Sequence, residues 1–192
     1  SRITEDGQLK VLRRFDKFHS GVVKCVKAKS EDVFATCGND GIIAIWDTRD
    51  SKEKPVHHID NAHGGCAVNF VEWNVEGDTN QIITSAFDDS INLWDVRWMP
   101  LNGGKLHQFN THKHPQVSKH KMLYCPAFTF NGKAIVTAGE GTSALTIYDI
   151  DNKSKVCSGN IGFDSTTLTC LSDGRVAAAN KREISIFLPI VC

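Results

Sequence analysis

The chain contains two stretches that restate one another, and no feature constrains its fold more. FATCGNDGIIAIWDTR ends at Arg49, and IITSAFDDSINLWDVR ends at Arg97. Both read apolar, small, small, then an aspartate, then five residues, then Trp-Asp-x-Arg. Asp40 stands six residues before Trp46, and Asp88 stands six before Trp94. Each stretch has a histidine upstream in a glycine-containing turn: His19 in FHSG and His63 in AHGG. Self-similarity at a period of roughly 40–50 residues decides an architecture before any local propensity does.

Around these repeats, short apolar runs alternate with turn signals, the mark of an all-β chain. Asp40-Gly41, Asp88-Asp89, Asn131-Gly132 and Asp173-Gly174 are hairpin dipeptides that tolerate positive φ. They predict repeats over approximately 9–47, 56–95, 105–149 and 155–188. Three strands are expected in each, with outer strands near Val56–Ile59, Lys105–Phe109 and Lys155–Ser158. The third repeat's inner strand is expected over Leu123–Phe130, and the opening GQLKVLRRF reads as a further outer strand able to complete the last sheet. Residues 97–120, with Pro100, Gly103, Gly104 and Pro115, read as one long irregular loop.

The quoted motifs resemble the WD-repeat β-propeller family, strongly in the first half of the chain and weakly in the second. The resemblance implies four-stranded blades stacked around an axis, four of them present here. Rings of this family have about seven blades of 40–45 residues, or roughly 300 residues. A chain of 192 residues is therefore read as part of a larger ring. The resemblance also implies a buried hydrogen-bonded chain in each full repeat: His19, Thr36, Asp40 and Trp46 in the first, His63, Thr84, Asp88 and Trp94 in the second. A carboxylate accepts from imidazole, imidazole bonds a hydroxyl, and the hydroxyl meets the indole N–H. The same groups form a catalytic triad only at a cleft mouth. On a middle strand beside an indole, and present twice, they read as structural. The third repeat has Tyr148-Asp149 in place of Trp-Asp, with Glu140 or His120 as substitutes for the turn carboxylate, and the fourth has only Phe187.

Trp-Asp-x-Arg also resembles the docking box of WD-type substrate receptors of cullin–RING ubiquitin ligases, where the arginine helps bind the ligase adaptor. That resemblance puts Asp47, Arg49, Asp95 and Arg97 on a partner-binding face. Trp98, which follows Arg97 directly, reads together with Met99 as an exposed recognition anchor or as packing under the loop. The motif also occurs in WD proteins with other roles, among them histone chaperones and peroxisomal import receptors. The expectation is thus a non-enzymatic scaffold mediating protein–protein interactions, with the ligase receptor as the alternative.

Composition narrows the remaining classes. Hydrophobic residues make up 41% of the chain, and 22 basic residues balance 22 acidic ones, so no net charge favours nucleic acid or an acidic membrane face. Seven widely spaced cysteines without C-x-x-C read as reduced core thiols of an intracellular protein, cytoplasmic or nuclear. The histidines at 107, 112, 114 and 120 read as solvated loop residues, since no carboxylate or thiol accompanies them. No metal and no cofactor is expected. Trp73 reads as core.

Overall fold

The computed structural model describes residues 11–110, 125–141 and 143–188. They form four antiparallel sheets, each strand pairing with its sequence neighbour. Blade one holds β1 (Val23–Ala28), β2 (Val33–Gly38), β3 (Ile43–Asp47) and β4 (His57–Ile59). Blade two holds β5 (Val68–Trp73), β6 (Gln81–Ala86), β7 (Ser90–Asp95) and β8 (Lys105–Asn110). Blade three holds β9 (Ala127–Thr129), β10 (Ala134–Thr137), β11 (Ala144–Asp149) and β12 (Ser154–Asn160). Blade four holds β13 (Thr167–Cys170), β14 (Val176–Ala179) and β15 (Ile184–Phe187), with no fourth strand among the described residues.

The turns explain the hairpins. Asn131 and Gly132 both take positive φ (55° and 74°) between β9 and β10, the backbone twist a tight hairpin needs. Gly41 does the same between β2 and β3, at φ 75°.

Alternation along each strand then gives every blade two apolar faces, and blades stack through them. Ala35, Cys37, Ile43 and Ile45 of blade one bury against Val68, Val71, Trp73 and Ile82 of blade two. Ile83, Ile91, Leu93 and Phe109 meet Phe128, Ile135 and Tyr148 of blade three. Val136, Leu145 and Ile147 meet Leu168, Val176 and Ala178 of blade four. Trp73 lies in this core, and its indole N–H donates to the Lys27 carbonyl across the first junction at 3.0 Å. The six described cysteines are free thiols.

Three expectations change. Residues 97–102 are not irregular: a 3-10 turn (Val96–Trp98) runs into a short helix α1 (Met99–Asn102), and β8 follows. Asp95 caps the turn through the Arg97 N–H, and Gly103, at φ 79°, ends α1. The inner strand of blade three is shorter than expected, at Ala127–Thr129, with 123–124 outside the described residues. Of the opening segment, residues 11–15 form no strand, and 7–10 lie outside the described residues.

Candidate functional site

Two polar networks pin blades one and two. In blade one, His19 Nδ1 lies 2.8 Å from Asp40 Oδ2 and Nε2 lies 2.8 Å from Thr36 Oγ1, while the Trp46 indole N–H donates to the same hydroxyl at 2.8 Å. In blade two, His63 Nδ1 lies 3.1 Å from each Asp88 oxygen and Nε2 lies 2.8 Å from Thr84 Oγ1, which accepts from the Trp94 indole at 2.8 Å. Pairing on the strands explains the geometry. Phe34 faces Trp46 and Ile82 faces Trp94 in register, which sets the threonine two residues on beside the indole.

The network assigns its protons. An ionised carboxylate only accepts, so the imidazole Nδ1 carries a hydrogen. An indole only donates, so the threonine oxygen accepts from it and the hydroxyl hydrogen turns to Nε2. Burial acts to raise the Asp40 carboxyl, but the bonds from His19, the Ile42 N–H and the Ser20 N–H outweigh it and hold the group below its ordinary value. Burial likewise opposes ionisation of Asp88, and His63 with Ser90 reverses the balance downward. The order carboxylate–imidazole–hydroxyl is that of a nucleophile triad. However, Thr84 is fully buried and its oxygen is occupied by an indole, so no substrate carbonyl can approach it.

The sequence reading missed part of this. Ser90 Oγ donates to Asp88 at 2.8 Å, and Asn92 donates to the Ala62 carbonyl at 3.3 Å. Both are polar interruptions of an otherwise apolar third strand, a readable signal. In blade three, Thr137 occupies the position of Thr36 and Thr84, two residues from the one that faces Tyr148. Its hydroxyl is buried with no partner among the described residues. His120 and Thr142 lie outside the described residues, as do His112 and His114. Among the described residues no group of three or more His, Cys, Asp or Glu is placed to hold a metal. No helix among them is long and apolar enough to cross a membrane.

The Trp-Asp-x-Arg corners form a second arrangement. Asp47 accepts the Arg49 backbone N–H and Nε at 2.9 Å each, and Nη2 at 2.6 Å. Asp95 receives Arg97 in the same way, with Asp78 adding a bond to Nη2 at 2.8 Å. The Arg49 fork holds the Asp47 carboxyl down to about 2. Arg97 similarly holds Asp95 below its ordinary value. Each guanidinium is thus locked edge-on by its own strand while its side chain stays exposed, 68% for Arg49 and 53% for Arg97. The corners end the equivalent strands β3 and β7 of adjacent blades, so both face one side of the disc.

Asp95 is buried with its carboxylate turned onto Arg97, and Asp47, half-buried, turns onto Arg49 in the same way. Trp98 is 49% exposed beside Arg97, with Leu101 exposed one helical step on. Met99 does not join them, because it is the buried residue of α1.

Comparison with known proteins agrees with this geometry. Residues 7–47 and 53–95 match the family described as "WD domain, G-beta repeat". The chain is similar to human DDB1- and CUL4-associated factor 10, at 31% identity over 91 residues, covering 45% of this chain and 15% of that one. It is similar to Methylosome protein WDR77 of Xenopus laevis, at 35% identity over 79 residues, covering 40% and 23%. The chain thus spans less than a quarter of the length of each of these curated relatives. The WD40 β-propeller domain of Doa1 superposes with a TM-score of 0.68 at 21% identity, over 88% of this chain and 51% of that one. Residues 7–47 and 53–95 are thus two WD repeats with a polar network in each, and the blade topology of a WD40 β-propeller continues beyond them.

Proposed function

We propose that the chain is a non-enzymatic platform that binds other proteins through the face carrying Arg49, Arg97 and Trp98. One observation carries this reading: two exposed guanidiniums are each fixed in orientation by a carboxylate two residues away. A free surface arginine loses rotamer entropy when a partner immobilises it. One that is already held loses less, so its remaining donors add affinity at lower cost. The neighbouring indole supplies the aromatic anchor typical of interface centres.

The ligase-receptor reading is the specific form of this proposal, supported by the similarity to the DDB1- and CUL4-associated relative. In it, the arginine face meets DDB1. Binding of purified DDB1 to the whole chain tests it, with the variants Arg49→Ala and Arg97→Ala. Arg175→Ala is the control, since Arg175 is held by Asp173 in the same way but sits on blade four. Hot-spot arginines cost about 2 kcal/mol each, roughly 30-fold in affinity, and the control should change nothing. Absence of DDB1 binding sinks the receptor form alone. A set of co-purifying proteins indifferent to Arg49→Ala, Arg97→Ala and Trp98→Ala together sinks the platform face itself.

A further inference from the structure

Blade one sets two cysteines against each other. Cys25 of β1 and Cys37 of β2 are direct partners in the antiparallel pair. A bulge brings this about: Val23 faces Gly38, and the next paired residue of β1 is Cys25 rather than Lys24. The extra residue re-aims the strand, and residues directly opposite then share a face. Blade two has the same bulge, but there Phe70 faces Ser85. Blade four has Thr167 facing Ala179 at the corresponding place. Cys157 faces Ile147, and Cys170 faces Val176. Among the strand pairs of the described residues, only blade one opposes thiol to thiol.

Both side chains turn toward blade two. Cys37 is fully buried in the cluster that holds Val68 and Val71, and Cys25, half-buried, packs on the same cluster. The Cys25 sulfur lies 3.7 Å from the Val71 carbonyl oxygen. Opposed residues of an antiparallel pair stand about 4.5–5.5 Å apart at Cα, inside the roughly 4.4–6.8 Å that a disulfide spans. The two thiols differ in character. The hydrogen bond from Cys37 holds the Cys25 thiol down to about 6, against the opposing effect of burial; the Lys27 ammonium assists and the Glu72 carboxylate opposes. Cys37 is pushed upward by that same bond and by burial. Cys25 is therefore the nucleophile of the pair, and Cys37 the protonated thiol beside it.

We propose that Cys25 and Cys37 form an oxidation site, at which hydrogen peroxide converts the two opposed thiols into a cross-strand disulfide. The Cys25 sulfur attacks one peroxide oxygen, and the O–O bond breaks. Cys25 becomes a sulfenic acid, and the departing oxygen takes up the proton that Cys25 has lost and leaves as water. The Cys37 sulfur then attacks the Cys25 sulfur, the S–O bond breaks, and the hydroxyl leaves with the Cys37 proton as a second water. The two sulfurs give up two electrons, which reduce one peroxide to two waters. The product ties β1 to β2 in the blade that carries Arg49.

Mass mapping of the whole folded chain after treatment with hydrogen peroxide tests this. The protein should lose two hydrogens in mass, and a thiol reductant should restore them. Trypsin cuts after Lys27 and Lys29, between the two cysteines, so their peptides should stay joined until reduction. The urea midpoint should rise on oxidation, because the link restricts the unfolded chain. Cys37→Ala should lose the joined peptides, and dimedone should instead trap the sulfenic acid at Cys25. Alanine already stands at the matching place in blade three, where Ala138 follows Thr137 as Cys37 follows Thr36, so this variant should fold. Cys25→Ser should lose both the link and the trapped acid. The proposal is overturned by a folded chain that yields no Cys25–Cys37 link, or by peroxide joining other cysteines in its place. It is equally overturned by a link that forms only in urea, and by a folded Cys37→Ala chain whose Cys25 takes no dimedone.

Discussion

Replacing Thr84 by valine isolates the blade-two network with almost no change of shape. The hydroxyl is fully buried, accepts from the Trp94 indole and bonds His63 Nε2, each at 2.8 Å. Valine removes both interactions and leaves a buried N–H and a buried ring nitrogen unpaired. Each orphaned group costs about 1–3 kcal/mol, and valine's greater apolar character offsets part of that. A net loss of about 3 kcal/mol is expected, or roughly 6–12 °C in Tm for a chain of this size. Urea unfolding followed by tryptophan fluorescence reads it as a lower midpoint at constant m-value. Thr137→Val is the matched comparison. That hydroxyl sits at the equivalent place in blade three and is already buried without a partner among the described residues. Removing an unsatisfied hydroxyl should be neutral or stabilising. If Thr84→Val costs less than about 1 kcal/mol, or if the two substitutions cost the same, the reasoning that satisfaction rather than shape matters here is wrong.

Two further outcomes follow from the same geometry. Asn74 is fully buried, donates to the Gly132 carbonyl at 2.9 Å and to Gln81 at 3.1 Å, and accepts the Gly77 N–H at 3.0 Å. It ties blade two to the β9–β10 turn, so Asn74→Ala should cost about 2–4 kcal/mol in urea unfolding, and a loss below about 1 would refute its bridging role. Asp40 and Asp88 have carboxyls below their ordinary value in the fold, so they bind protons more readily when unfolded. Their contribution is complete above the unfolded value of about 3.9 and is lost as pH falls through the lower folded value. Urea midpoints measured across acid pH should therefore drop below about pH 4, and Asp88→Asn should flatten that drop; an unaltered slope would count against it.

What the sequence made legible divides along physical lines. The network of blades one and two was readable because four different residue types recur at fixed offsets around a tryptophan. Strand pairing then converts those offsets into contacts. Thr137 was not readable, because Tyr148 replaces the indole that marks its place. Asn74 carries no pattern at all: its three partners come from a turn, a strand and the next blade, and only the folded chain assembles them. The helical turn after Arg97 hid behind Pro100 and two glycines, which read as loop residues. Pro100 in fact stands in the first turn of α1, where its missing N–H costs nothing. Asp47 and Asp95 were legible as members of the corner, but the direction of their side chains was not. That each carboxylate turns back on its own arginine is a matter of side-chain direction, which spacing does not encode.

The polar network and the arginine corner also occur together, and this links stability to the proposed binding face. Blade three keeps the threonine but has Tyr148 for tryptophan and Asp151 where the arginine would stand. Blade four removes the network as a unit: Ala178 takes the threonine's register position and Phe187 the tryptophan's, so no donor or acceptor is stranded. Deleting both partners of a buried hydrogen bond is nearly neutral, whereas deleting one is not. Polar pinning is therefore not needed merely to build a blade here. It is found in the two blades whose third strands end in an exposed arginine. A guanidinium helps a partner bind only as far as the strand beneath it is held still, and a satisfied buried network enforces one strand arrangement. On this reasoning Thr84→Val should weaken partner binding through Arg97 even where the chain remains fully folded, while Thr137→Val should leave it unchanged.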